Sequence, residues 1–243
     1  MPDESNQNQS AVNHQFPMLF QISPEISRFF KGLAVGAASL QGVKVSRYSV
    51  ALDEFVAEAV EYVRKAYVVE ELAKNPLARA YRDFFWKISI DPTKTRPSAE
   101  ALLRRVLQGK DFPRVNSLVD ICNVVSMKRL IPVAAYDREK ISGNLCLRFS
   151  RDGELFYGIG MDKPLNLTGR EVVIEDGDNI VSVYPHRDSE ISKVTENTRN
   201  VVLMVWGVPG VENKYLEDAL DEVVAKVQNF CGGAPVSKQL YQT

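Results

Sequence analysis

Apolar and polar positions are spaced differently along the chain, and each spacing predicts a different element. Short apolar runs at residues 16–22 and 33–40 predict two strands, and Gly36 inside the second indicates a close approach by another backbone. From residue 49 to 74 the apolar residues recur with the period of a helix. This stretch predicts one amphipathic helix that ends before Asn75 and Pro76.

Two shorter helices and a strand-rich region follow. One helix is predicted from residue 95 or 96 to Gly109, with Pro97 in its first turn, and another over residues 117–127 with Asn116 as its N-cap. Later apolar or alternating runs predict strands at residues 130–135, 145–149, 154–159, 172–175, 180–184 and 201–208, followed by a helix at residues 213–230. This order predicts an α+β fold, with mixed or antiparallel sheets in a sandwich-like arrangement flanked by helices.

Residues 1–15 differ from the rest of the chain because they are rich in Asn, Gln and Ser and contain few apolar residues. Such a segment buries too little apolar surface to offset the entropy of ordering, so a disordered polar tail is predicted. No later change in composition resembles a linker. Residues 16–243 are therefore predicted to form a single domain.

The segment at residues 81–90 is notable for its aromatic residues, Tyr81, Phe84, Phe85 and Trp86. Packing in the core is the more common use of such residues, and a surface on which nucleic-acid bases stack is the alternative. The sequence leaves both open.

Charge is unevenly distributed along the chain. The 243 residues carry a net charge of −1, but residues 94–151 hold twelve basic and five acidic residues, a net charge of +7. Such a stretch can form a phosphate-binding face or a solvated surface of mixed charge, and the two interpretations are equally compatible with the sequence. For the first, the candidate nucleic-acid contacts are Arg96, Arg104, Arg105 and Arg114.

Several functional classes lack the residues they need. The chain has three cysteines and two histidines, in spacings that fit neither a metal site nor a redox pair, and no cofactor-binding loop occurs. No apolar run is long enough to cross a membrane, and the first residues lack a secretion-signal pattern. A cytoplasmic protein without a metal or cofactor is expected, and its oligomeric state stays open.

Four phrases occur in an order that carries a family resemblance. They are RPSAEALLRRVL at residues 96–107, PRVNSLVDICNVVS at 113–126, IPVAAYD at 131–137 and YPHRDS at 184–189. Together they resemble the B3/B4 family, the tRNA-editing module of the phenylalanyl-tRNA synthetase β subunit, over residues 17–230. The resemblance implies the fold of that module and hydrolysis of a wrongly esterified aminoacyl-tRNA.

The family's pocket residues match this chain only in part. By the resemblance, a threonine–asparagine pair falls on Cys122 and Asn123, so only the asparagine is retained. A histidine credited with an editing role falls on Ala134, a glutamate that senses tyrosine falls near Arg187, and a glycine falls on Gly160. The framework is therefore kept while the residues tuned to tyrosine are replaced.

The residues themselves predict a site near the end of the strand at 180–184. Asn123 can donate a hydrogen bond to a substrate carbonyl, or be a satisfied buried amide. Arg187 can hold a phosphate or carboxylate with Asp188 orienting it, and His186 can act as a base. These four are the candidate catalytic residues, and each also has a purely structural interpretation.

The remaining candidates concern substrate binding. They are Cys122, Ala134, Asp137, Gly160, Ser189 and Trp206. For Asp137 a turn-holding role is the simpler alternative, and for Trp206 a place in the core.

Three functions stay open. The first is hydrolysis of mischarged aminoacyl-tRNA, which needs no strong nucleophile because the ester is already activated. The second is binding of tRNA or another RNA without catalysis. The third is binding or turnover of a free amino acid or similar carboxylate, with Arg187 as its clamp.

Overall fold

In the computed structural model, which describes residues 20–243, helices come mainly before residue 130 and strands mainly after it. The helices are α1 (Pro24–Phe29), α2 (Val50–Ala66), α3 (Pro76–Lys87), α4 (Ser98–Leu107), α5 (Ser117–Arg129) and α6 (Asn213–Cys231). The strands are β1 (Phe20–Ile22), β2 (Ala34–Gln41), β3 (Val133–Asp137), β4 (Leu145–Phe149), β5 (Asp152–Phe156), β6 (Leu165–Thr168), β7 (Val172–Glu175), β8 (Ile180–Val183), β9 (Arg187–Asp188), β10 (Asn200–Trp206) and β11 (Ala234–Gln242). The predicted tail and residues 16–19 of the first predicted strand lie outside the described residues.

The strands of this part of the chain form two larger sheets and one small pair. One sheet is antiparallel with the order β11-β2-β10-β3, and the other has the order β1-β4-β7-β8-β9. In the second sheet β1 runs parallel to β4 while the other neighbours are antiparallel. The predicted α+β class with mixed and antiparallel sheets is confirmed.

Buried apolar residues of both larger sheets belong to one core, which α5 and α6 complete. Helix α6 packs on β2 and β10, and α5 packs on α6 and β3. At Gly36 in β2 a Cβ atom would lie 3.3 Å from the Leu220 side chain of α6, so a helix side chain approaches this glycine and the predicted approach of another backbone is wrong. This packing fixes α5 beside β3, where the site lies.

The capped helices follow the sequence closely. The Asn116 side-chain oxygen accepts a hydrogen bond from the Val119 amide at 3.0 Å, so the predicted N-cap of α5 is confirmed. Helix α4 starts at Ser98, two or three residues later than predicted, because Pro97 itself occupies the N-cap position. Helix α6 begins at the predicted Asn213.

The single helix predicted over residues 49–74 is wrong. Helix α2 ends at Ala66, Tyr67 adopts extended backbone, and a separate 3-10 turn follows at Leu72–Lys74. Two β-branched residues, Val68 and Val69, weaken the helix at this point, and the Tyr67 hydroxyl donates to the Lys128 carbonyl at 3.5 Å.

The aromatic segment mostly packs in the core. It forms helix α3, which the sequence did not predict, with Tyr81, Phe84 and Phe85 buried. The Tyr81 hydroxyl donates to the Trp206 carbonyl at 2.6 Å. Trp86 is the exception, since 56% of it is exposed.

Strand boundaries changed where local geometry overrides the apolar pattern. The strand predicted from Leu130 starts at Val133, because Leu130 takes left-handed backbone (φ 54°) at the C-cap of α5. Strands β6, β9 and β11 and helix α1 were not predicted. Strand β11 is an edge strand with mostly exposed residues, so its sequence carries little apolar signal.

Candidate functional site

Two cavities lie side by side between α4, α5, β3 and β9. The larger, here called the basic groove, has a volume of about 790 Å³ and is lined by Lys94, Thr95, Arg96, Ser98, Ala101, Leu102, Arg104, Arg105, Gln108, Lys110, Pro113, Asn123, His186 and Arg187. The smaller, here called the apolar pocket, has a volume of about 170 Å³ and is lined by Val115, Val119, Cys122, Asn123, Val133, Ala134, Ala135, Ile159, Asp188, Lys193 and Val194. Asn123 lines both cavities and therefore marks their junction.

Helix α5 supplies the first wall of the apolar pocket. Val119, Cys122 and Asn123 stand at helical spacings of three and four residues, so they share one face. The cap at Asn116 fixes where this helix begins. Burial raises the pKa of the Cys122 thiol, which keeps this side chain in its neutral form as part of the wall.

Strand β3 supplies the second wall. It is the edge strand of its sheet, and its residues 133–135 pair with β10 on one side only, with the pocket on the other. Ala134, which the resemblance aligns with a histidine, lies in this wall. Its small side chain leaves the space that a larger residue would fill.

The third wall consists of residues 157–160 and β9, which hold each other in place. The Ile159 amide donates to the Asp188 carbonyl at 2.9 Å, and the Ser189 hydroxyl donates to the Tyr157 carbonyl at 3.3 Å. Gly158 lies against the Arg187 side chain, where an added Cβ would stand 2.5 Å from Arg187 Cδ. A Cβ at residue 158 would therefore force the exposed Arg187 side chain to move.

Asn123 has a polar side chain without a protein partner. Within residues 20–243 its carboxamide makes no hydrogen bond to another residue, although it is partly buried between the two cavities. The amide is thus available to a ligand that extends from the groove into the pocket.

Asp188 places a carboxyl group in the wall of the apolar pocket. The Tyr136 hydroxyl donates to Asp188 Oδ1 at 3.0 Å. Burial raises the pKa of the Asp188 carboxyl to about 7, and the Tyr136 hydrogen bond only partly opposes this effect.

Arg187 lies on the other side of the same strand. Neighbouring residues of a strand point to opposite faces, so Arg187 lines the basic groove while Asp188 lines the apolar pocket. Its Nη1 donates to the Ile159 carbonyl at 3.4 Å. The predicted pairing, in which Asp188 orients Arg187, does not occur in this arrangement.

His186 lines the basic groove, with its ring centroid 6.2 Å from that of Phe85. Burial, and to a lesser extent the charge of Arg187, lowers the pKa of His186 to about 4. Its imidazole is therefore neutral at neutral pH and is a weaker base than an ordinary histidine.

The basic residues of the groove differ in how firmly protein groups hold them. Arg104 Nε donates to Glu100 at 2.6 Å, and Arg105 Nε donates to the Asp111 carbonyl at 2.6 Å. Within residues 20–243, Arg96, Lys110 and Arg187 form no ion pair with an acidic side chain. Those three are the charges most available to a polyanion.

Arg114, the fourth residue predicted to contact nucleic acid, does not line the groove. Its guanidinium forms ion pairs with Asp53 and Asp120, both at 2.6 Å. These contacts tie α2 to the start of α5.

Four predicted substrate-binding residues line neither cavity. Asp137 is buried and accepts a hydrogen bond from Thr198 at 2.7 Å, and Trp206 is 2% exposed and packs on Tyr184 with centroids 5.2 Å apart. Ser189 braces residues 157–160, and Gly160 forms the turn after Ile159 with a φ of 73°. Their surroundings are those of structural residues.

Several wall residues were not predicted. These are Val115, Val133, Ala135, Ile159, Lys193 and Val194, which come from four separate segments, and nothing local in the sequence shows that these segments meet at one pocket. Val119 had a usable signal, since it precedes Asn123 by one helical turn in a predicted helix.

The described part of the chain contains neither a metal-binding cluster nor a membrane-spanning helix. Residues 20–243 contain no group of three or more His, Cys, Asp or Glu side chains arranged to hold a metal ion. No helix in that range combines the length and apolar character that a membrane span requires. The three cysteines are free thiols.

Comparison with known proteins gives a consistent set of relatives. The model of the B3/4 domain family matches residues 80–232. The phenylalanine–tRNA ligase beta subunit of Bradyrhizobium diazoefficiens is 29% identical over 165 residues, covering 58% of this chain and 20% of that protein. The same subunit of Neisseria meningitidis serogroup B is 24% identical over 168 residues, covering 60% of this chain and 21% of that protein. The chain thus spans about a fifth of the length of the curated relatives it matches.

Among solved structures, the chain is similar to an N-terminal fragment of the phenylalanyl-tRNA synthetase beta subunit from Pyrococcus horikoshii. The TM-score is 0.49 at 12% identity, with 93% of this chain and 54% of that chain covered.

Proposed function

Because this chain belongs to the B3/4 domain family, we propose that it binds aminoacyl-tRNA and hydrolyses mischarged aminoacyl esters in trans. Similarity to the beta subunit of phenylalanine–tRNA ligase supports a role connected with tRNA. The observation that carries the proposal is the position of Asn123. Its unpartnered carboxamide stands where a groove suited to phosphates meets a pocket suited to an amino-acid side chain.

The two cavities divide the substrate between them. Phosphates at the 3′ end of the tRNA lie in the basic groove, near Arg96, Lys110 and Arg187. The amino-acid side chain enters the apolar pocket, and the ester carbonyl lies at the junction. This division explains why a small apolar cavity opens beside a much larger basic one.

Hydrolysis then proceeds by attack of water on the ester carbonyl carbon. The carbonyl oxygen gains negative charge, and the Asn123 N–H donates a hydrogen bond to it. The neutral His186 imidazole accepts a proton from the attacking water and then donates it to the ribose oxygen, which leaves as a hydroxyl group when the ester C–O bond breaks. The products are the free amino acid and a tRNA with its 3′ hydroxyl restored.

A panel of tRNAs mischarged with different amino acids tests the reaction. At least one member should be deacylated faster than in buffer, and Asn123→Ala should slow that reaction by about a hundredfold or more, the usual loss of one oxyanion donor. The matched control is Asn166→Ala, which removes an exposed asparagine on β6. Absence of deacylation on every tRNA would refute the hydrolytic role.

Binding of tRNA without catalysis is the second candidate, and the charge of the groove favours it. Six basic side chains and no acidic one line the groove. Affinity for tRNA should fall steeply with salt, and Lys110→Ala should reduce the slope of log K against log salt by about 0.7 to 0.9, as expected when one phosphate contact is lost. Lys163→Ala, an exposed lysine outside the groove, should leave the slope unchanged. A slope independent of the groove residues would exclude this binding mode.

The free amino acid alternative places different demands on the site. Its proposed clamp, Arg187, lines the groove rather than the apolar pocket. Stabilisation of the folded chain by a free amino acid, lost in Arg187→Ala, would support it over the two tRNA-based functions. A cytoplasmic location belongs to all three proposals.

A further inference from the structure

The apolar pocket contains one carboxyl group whose charge is not balanced by the protein. Asp188 stands in a wall otherwise made largely of valine, alanine and isoleucine side chains. Its hydrogen-bond partner there is the neutral Tyr136 hydroxyl. Within residues 20–243 no ion pair joins Asp188 to a lysine, arginine or histidine, so the negative charge of its carboxylate is left without a neighbour of opposite sign.

The basic residue of the pocket lining and the basic neighbour of Asp188 in the chain are engaged elsewhere. Lys193, which lines the pocket, pairs with Glu190. Arg187 precedes Asp188 in the chain but lies on the groove side of the strand, where it contacts the Ile159 carbonyl. Burial raises the pKa of the Asp188 carboxyl to about 7, as happens to a carboxylate without a counter-charge.

A ligand that brings its own positive charge would complete this pocket. An aminoacyl ester carries an α-ammonium group on the carbon next to its carbonyl carbon. If the carbonyl lies at Asn123, the ammonium lies within the same cavity that Asp188 lines. We therefore propose that Asp188 binds the α-ammonium group of the substrate, so that the site accepts aminoacyl esters with a free amine and rejects N-acylated ones.

This inference rests on the proposed function and defines its substrate class more narrowly. A free-amine ester forms a charge-assisted hydrogen bond with Asp188. An N-acylated or peptidyl ester has no positive charge there and leaves the carboxylate unpaired. The amino-acid side chain is then directed to the valine-rich wall formed by Val115, Val119, Val133 and Val194.

Small esters test the inference without tRNA. The probes are the methyl esters of valine, leucine, phenylalanine and tyrosine and the N-acetyl form of each, titrated into the whole chain at pH 7.5 by calorimetry or NMR. At least one free-amine ester should bind about tenfold or more tightly than its N-acetyl form, as expected for a charge-assisted contact. Asp188→Asn should remove this preference, because it should weaken the binding of the free-amine ester and leave the binding of the N-acetyl ester unchanged.

If Asp188→Asn fails to fold, the affinities of the wild-type chain for the free-amine and N-acetyl esters are sufficient to test the inference. Equal affinity for the two forms of every ester, or no binding of any ester, would overturn the inference. Glu61→Gln, an exposed carboxylate on α2, is the control that should keep the preference.

The outcome is separable from that of the proposed function. Deacylation of mischarged tRNA with no discrimination against the N-acetylated form would keep the hydrolytic role and refute the ammonium contact. Amine-dependent binding of esters without any deacylation would keep the ammonium contact and refute the hydrolytic role.

Discussion

The Asp188 carboxyl gives a sharp prediction for the pH dependence of stability. Replacement by Asn keeps the shape and the acceptor for the Tyr136 hydroxyl but removes the ionisable group. In the folded chain the Asp188 carboxyl holds its proton up to a pKa of about 7, whereas the ordinary value is 3.8. Between these values the folded state binds more protons than the unfolded state, so this group makes the wild-type chain less stable as pH rises.

The size of this change in the free energy of unfolding follows from the difference between the two pKa values. Each pH unit in which the two states differ by one proton changes the free energy of unfolding by about 1.4 kcal/mol. From pH 5 to pH 8, Asp188→Asn should therefore gain about 2 to 3 kcal/mol relative to wild type. Most of the gain should come below pH 7, with a plateau above it.

Urea unfolding of both proteins at several pH values, extrapolated to water, measures the difference. Glu61→Gln is a suitable control. The pKa of Glu61 is lowered from its ordinary value of 4.5 by its hydrogen bond to Lys65, so it is fully ionised in both states from about pH 6 upward and should contribute only a small slope, of opposite sign, below that. A difference between wild type and Asp188→Asn that stays constant from pH 5 to pH 8 would mean that Asp188 is ionised throughout, and the account of its burial would be refuted.

Two other substitutions test the framework around the site. In Gly158→Ala the new Cβ would meet Arg187 Cδ at 2.5 Å and displace this exposed side chain from its place in the groove, so tRNA affinity should fall while stability changes by no more than about 0.5 kcal/mol; an unchanged binding curve would contradict this. In Glu100→Gln the buried carboxylate that holds Arg82 and Arg104 loses its charge, which should cost about 3 kcal/mol in urea unfolding because both guanidinium groups lose their anion. The double variant Glu100→Gln with Arg82→Met should recover part of that loss of stability. If it recovers none, the unpaired Arg82 charge is not the cause of the loss.

The sequence predicted the fold best where local signals and tertiary packing agree. Helix α5 has a capping asparagine and a C-terminal turn, and its predicted and observed spans differ by two residues at one end. Helix α3 was missed although its signals are local. Asn75 caps it, Pro76 opens it, and its buried residues recur at helical spacing, but Asn75 and Pro76 were interpreted only as the end of the preceding helix. Strand β11 was missed because an exposed edge strand has no buried face to mark it.

The site was predictable to a similar degree. Cys122, Asn123, Ala134 and Asp188, which come from three of the four phrases of the sequence, line one pocket. The sequence could not separate Arg187 from Asp188, because a two-residue strand shows its alternation only once the sheet around it is known. The valines of the pocket come from three segments that meet only after α5, β3 and the chain near residue 194 have packed together, so no local pattern could identify them.

The uneven charge of the chain has a consequence for how collisions with a polyanion proceed. The whole chain is close to neutral, with a net charge of −1, and yet six basic side chains and no acidic one line the basic groove. A nearby polyanion exerts little net pull on such a molecule but does exert a torque, which turns the basic side toward it while the other faces are repelled. Most encounters with nucleic acid should therefore occur with the basic groove facing the nucleic acid. Complexes in which the pocket faces away should be short-lived.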